Sequence, residues 1–145
     1  MHRRALILTL AAALMLLPAS SAAAASFAVG LSAPTHHPKA NRFWPVTVTA
    51  KTRSGKPLRA TATYQFVYQG QVVQTRYPSP NANPRSACSK AGTCRRSPWP
   101  FFGRMRDATF SWPARAAGIP LTLRVLVRVK GMGSAHADYA VRVRR

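Results

Sequence analysis

Leu121-Thr-Leu-Arg-Val-Leu-Val-Arg-Val129 decides the fold class of this chain. Leu121, Leu123, Val125, Val127 and Val129 alternate with Thr122, Arg124, Leu126, Arg128 and then Lys130. Side chains that alternate with period two sit on opposite faces of a strand, one apolar and one polar. Gly131-Met-Gly-Ser134 reads as a turn. Beyond it Ala137, Tyr139, Val141 and Val143 alternate with Asp138, Ala140, Arg142 and Arg144. Two successive strands, each greasy on one side, predict antiparallel neighbours with one face in a core and an arginine-bearing face in water.

The same pattern extends upstream. Phe27, Val29 and Leu31 alternate with small residues. Pro34 to Pro38 reads as a loop. Trp44, Val46, Val48 and Ala50 oppose Thr47, Thr49 and Lys51, and Ser54-Gly-Lys-Pro57 is a turn. Ala60, Ala62, Tyr64, Phe66 and Tyr68 form the apolar face of a third strand, and Gln69-Gly70 turns it into Gln71 to Arg76 as a hairpin. Tyr77 to Pro100 is irregular, with five prolines. From Phe101 to Trp112 the chain is extended again, with Phe102, Phe110 and Trp112 in one phase, and Pro113 to Pro120 crosses over. No segment carries the 3.6-residue periodicity of a long helix. About seven short strands with turn signals between them predict an all-β, antiparallel β-sandwich.

Residues 1–25 read as a signal peptide ahead of this domain at 26–145. Arg3 and Arg4 precede an apolar run from Ala5 to Leu17, shorter than the roughly 20 residues that span a bilayer. Small residues up to Ala25 supply a cleavage site. The expected location is therefore secreted or cell-envelope associated, with membrane contact only through the transient leader.

Val46-Thr-Val-Thr-Ala50, Gly55-Lys-Pro-Leu58 and Ala60-Thr-Ala-Thr63 resemble bacterial secreted immunoglobulin-like modules, and Gly118-Ile-Pro-Leu121 running into the Leu121–Val129 strand is similar to the late strands of immunoglobulin-like and fibronectin type III-like folds. The resemblance implies an immunoglobulin-like sandwich and employment in adhesion, display or ligand binding. It brings no active site with it.

Charge limits the chemistry further. The 145 residues hold 22 Lys and Arg against two acids, Asp107 and Asp138, for a formal charge of +20. Acid–base hydrolases and hard-metal sites are built from several carboxylates. Two carboxylates could serve a glycosidase only if paired across a cleft. Asp107, beside Arg104 and Arg106, reads instead as an internal acceptor or ion-pair partner. Asp138 reads as a strand residue opposite Arg124 or Arg128. No Gly-x-Ser-x-Gly elbow is present. The expectation is a protein that is not an enzyme and needs no cofactor.

Cys88 and Cys94 of an exported chain predict a disulfide within the 77–100 loop, worth roughly 2–2.5 kcal/mol by loop closure. From Arg76 to Arg106 the cations Arg76, Arg85, Lys90, Arg95, Arg96, Arg104 and Arg106 are interrupted by no acid, and Tyr77, Trp99, Phe101 and Phe102 are interleaved. Arginine forks pair with phosphate or carboxylate, and aromatic faces stack on sugars. With Trp99, these seven cations form the candidate site for an anionic cell-envelope polymer, with no specific nucleic-acid recognition. A docking surface for an acidic protein partner is the alternative. A weaker one is a copper carrier using His36 and His37, with His136 as a third ligand.

Overall fold

The computed structural model describes residues 26–80 and 97–145. The expected leader at 1–25, the expected Cys88–Cys94 disulfide, and Arg85, Lys90, Arg95 and Arg96 lie outside the described residues. The chain is all-β, with two antiparallel sheets facing each other. Its strands are β1 (Phe27–Ser32), β2 (Val46–Thr52), β3 (Arg59–Tyr68), β4 (Gln71–Arg76), β5 (Trp99–Phe102), β6 (Arg104–Asp107), β7 (Pro120–Val129) and β8 (Gly133–Arg142). One sheet has the order β1-β2-β6. The larger has the order β4-β3-β7-β8, with β5 lying beside the first half of β3.

The alternation that defines each strand also defines the core. Val46, Val48 and Ala50 of β2 meet Ala62, Tyr64 and Phe66 of β3 and Leu123, Val125 and Val127 of β7 in one buried cluster. Burying each of the larger side chains contributes about 1.5–3 kcal/mol. Trp44, Phe110 and Trp112 extend the cluster toward one pole, with ring centroids 5.5 to 5.8 Å apart. Tilted and edge-on ring contacts of this kind favour defined packing over sliding.

The extended run from Phe101 onward is not one strand. Gly103 adopts φ +64° and divides it, so β5 belongs to the larger sheet and β6 to the smaller. The Gly103 amide donates to the Leu58 carbonyl, and its own carbonyl accepts from the Ala50 amide, both at 2.9 Å. A Cβ at this position would stand 2.6 Å from Cβ of Pro57. Only glycine combines this backbone with this approach. The break yields eight strands among the described residues where about seven were expected, and it rotates Phe102 out of phase with Phe110 and Trp112. Phe102 is 59 % exposed, while the other two are buried.

Two further expectations shift. The irregular stretch ends before Trp99, since Trp99 and Pro100 already pair with Ala62 and Thr61. Pro100 is tolerated there because β5 is an edge strand that needs no further ladder donor. Tyr68 leaves the apolar face of β3: it lies at the Gln69-Gly70 turn, beyond the covered part of the strand, and is exposed. Both turn residues have positive φ, as a two-residue hairpin loop requires. Val73 is an extra residue in β4, a bulge opposite the Phe66–Val67 step.

Candidate functional site

The structure gives the predicted site residues different surroundings. On β2, Val46, Val48 and Ala50 point inward, so Thr47, Thr49 and Lys51 point out. On β6, Met105 and Asp107 point inward, so Arg104 and Arg106 point out. The register sets Arg106 beside Thr47 and Arg104 beside Thr49, and beyond them lie Ser32 and Gly30 of β1. The outer face of the smaller sheet is therefore low and hydroxyl-bearing, with Arg104, Arg106 and Lys51 rising from it. A side chain at Gly30 would collide with the Thr49 hydroxyl, so this flatness is built in. Arg104 and Arg106 stand about 7 Å apart along the strand, close enough to engage successive anionic groups of one polymer.

Arg76 behaves differently. It pairs with Tyr64 across β3 and β4 and so shares the inward face. Its guanidinium lies 5.3 Å from the Phe110 centroid and 5.9 Å from that of Phe66, and it donates to the Ser111 carbonyl at 3.3 Å. Burial pulls its pKa below the usual arginine value, opposed by the nearby Asp107 charge. Trp99 is half-buried against the core rather than displayed. Arg76 and Trp99 thus do not join Arg104 and Arg106 on the outer face.

Both carboxylates are committed to the fold. Asp107 is 3 % exposed. Its Oδ1 accepts from the Thr109 amide at 3.2 Å and the Thr109 hydroxyl at 3.0 Å, and its Oδ2 accepts from the Tyr64 hydroxyl at 3.3 Å. Burial pushes the Tyr64 phenol well above its usual pKa, and the neighbouring Asp107 charge adds to this. Asp138 pairs with Arg124, directly opposite in register, through two hydrogen bonds of 2.8 Å. The Arg124 hydrogen bonds hold the Asp138 carboxyl below the usual range. The strand-opposed partner is thus Arg124 and not Arg128.

His136 is not gathered with His36 and His37 into a cluster of three. His36 stacks on Tyr139 with centroids 4.2 Å apart, and its Nδ1 bonds the Ala140 carbonyl at 2.6 Å. His136 sits opposite Leu126 on the outer face of the larger sheet. No cluster of three metal-ligating side chains exists among the described residues. Nor is any described helix long and apolar enough to cross a membrane.

Sequence reasoning put Thr47, Thr49 and Lys51 on the polar side of β2 but did not join them to Arg104 and Arg106. Their alternation was the available signal. What it lacked was the knowledge that β6 is their neighbour. No protein-family model, curated protein or solved structure matches this chain.

Proposed function

We propose that this is an exported, non-enzymatic immunoglobulin-like module that binds anionic cell-envelope polymers through the outer face of its smaller sheet. The observation that carries the reading is the fate of the two acids. Asp107 is enclosed by Tyr64 and Thr109, and Asp138 is held by Arg124. Neither carboxylate remains for proton transfer, and neither neutralises Lys51, Arg104 or Arg106. The sheet order supports the family reading: two early strands and a late one form one sheet, while β3 and the last two strands lie in the other, as in immunoglobulin-like sandwiches.

Heparin and inorganic polyphosphate serve as probes. Both are expected to bind at low ionic strength, with affinity falling steeply as salt rises because screening weakens charge contacts. Arg104→Glu/Arg106→Glu lowers affinity at least about tenfold, while Arg128→Glu/Arg142→Glu on the larger sheet, an equal change of charge, has a smaller effect. Absence of binding at low salt, or equal loss in both variants, overturns the proposal. One observation favours a protein partner as second reading: β4 is an exposed edge whose Gln71-Val-Val-Gln-Thr75 carries no charge, and unpaired strand edges accept added strands.

A further inference from the structure

A cleft of about 430 Å³ opens at the pole of the sandwich where the loops after β1 and β6 meet the end of β4. Its volume falls within the range of small-molecule sites. The apolar wall comes from Phe66 of β3, Trp112 of the β6–β7 connection and Leu121 of β7. Val73, the bulged residue of β4, and Ile119 form greasy lips, 58 % and 38 % exposed. The buried Trp112 indole Nε1 has no hydrogen-bond partner among the described residues. Two arginines also border the space: Arg76, partly buried over the rings of Phe66 and Phe110, and Arg115, exposed on the short 3-10 turn Ala114–Ala116. Arg115 lies near enough for its charge to bear on Arg76. No acid lines the cleft. Asp107 is enclosed by Tyr64 and Thr109, and Asp138 is paired on the outer face of the larger sheet.

An apolar trough with cations at one side selects a ligand having the same division. Hydrocarbon gains from leaving water, and a guanidinium beside a low-dielectric wall favours an anion. A neutral hydrocarbon would make no use of the cation at the rim, and a small inorganic anion would leave the trough wet. We propose that this cleft binds a small amphiphilic carboxylate, with its chain against Phe66, Trp112 and Leu121 and its head group at Arg115 and Arg76. The site lies at the pole and does not depend on the polymer-binding face.

The test uses the folded domain with dodecanoate, dodecanol and dodecyltrimethylammonium as probes below their aggregation limits. Binding is followed by calorimetry and by tryptophan fluorescence, since Trp112 and Trp44 adjoin the wall. Dodecanoate is expected to bind at a single site at least tenfold more tightly than dodecanol, and the cationic amphiphile least of all. Shortening dodecanoate by two methylenes weakens binding on the order of tenfold. Arg115→Glu and Val73→Asp, both at exposed positions, should each weaken dodecanoate at least fivefold, while Arg128→Glu on the distant sheet face leaves it unchanged. Equal loss in Arg128→Glu would reduce the effect to overall charge and overturn the proposal. So would equal binding of dodecanol and dodecanoate, or indifference to Val73→Asp. Heparin binding measured with dodecanoate saturating keeps the two claims apart: it persists if the sites are separate, whatever becomes of either ligand alone.

Discussion

Asp107 and Asp138 are the same residue in opposite settings, and the contrast shows how an acid-poor chain uses its acids. Asp107 is buried, shares its oxygens with Thr109 and Tyr64, and faces the half-buried charge of Arg76. Its loss would strand a buried hydroxyl and uncover a cation in a dry setting, where unpaired groups are costly. Asp138 lies on a wet sheet face against Arg124 with ideal fork geometry. Water would solvate either partner if the other were removed, so the visible geometry overstates the energy.

The largest expected effect is therefore at Asp107. Asp107→Ala should cost about 3 kcal/mol in urea unfolding, and a loss below about 1 kcal/mol would show that the buried network contributes little. Next comes Tyr64→Phe, which removes the donor to Oδ2 and should cost about 1–2 kcal/mol. Tyr64 also sets an alkaline limit. Its folded pKa is raised, chiefly by burial, so its contribution is intact below about pH 10 and is lost as pH rises through the folded value. In a phenol absorbance titration Tyr64 should ionise well above the ordinary phenol range, and Tyr64→Phe should abolish that late step. A titration that Tyr64→Phe leaves without loss of a late step would contradict its enclosure.

The smallest effect is at Asp138. Asp138→Asn should change stability by less than about 1 kcal/mol near neutrality. The sign with pH is opposite to that of Tyr64. The folded pKa of Asp138 is depressed by Arg124, so its contribution is present above the unfolded value near 4 and is lost as pH falls through the folded one. Wild type and variant should converge near pH 2 in denaturant midpoints. A difference persisting there would mean the substitution acts through packing.

How much of this was legible in the sequence differs between the two regions. The period-two pattern of Leu121–Val129 and its neighbour read directly as strands, and their registry brings Asp138 to one of the two arginines expected. Asp107 was legible as an internal acceptor, yet its partners were not. Tyr64 is 43 residues away, and no local spacing marks that meeting. Gly103 hid inside an apparently continuous extended run, because its need for glycine comes from Pro57 across the corner. Arg76 looked like one more cation of a basic loop. Pairing with Tyr64 turns it over aromatic rings instead. The cleft at the pole was invisible for the same reason, since Phe66 and Val73 of one hairpin meet Arg115 and Ile119 of a distant connection.

The cationic outer face of the smaller sheet is tested most directly by mapping backbone amide shifts during titration with a short heparin oligosaccharide at low ionic strength. The account predicts changes concentrated on Thr47, Thr49, Arg104 and Arg106, with Arg128, Ser134 and His136 on the opposite face nearly still. Shifts spread evenly over both sheets, or none, would contradict it.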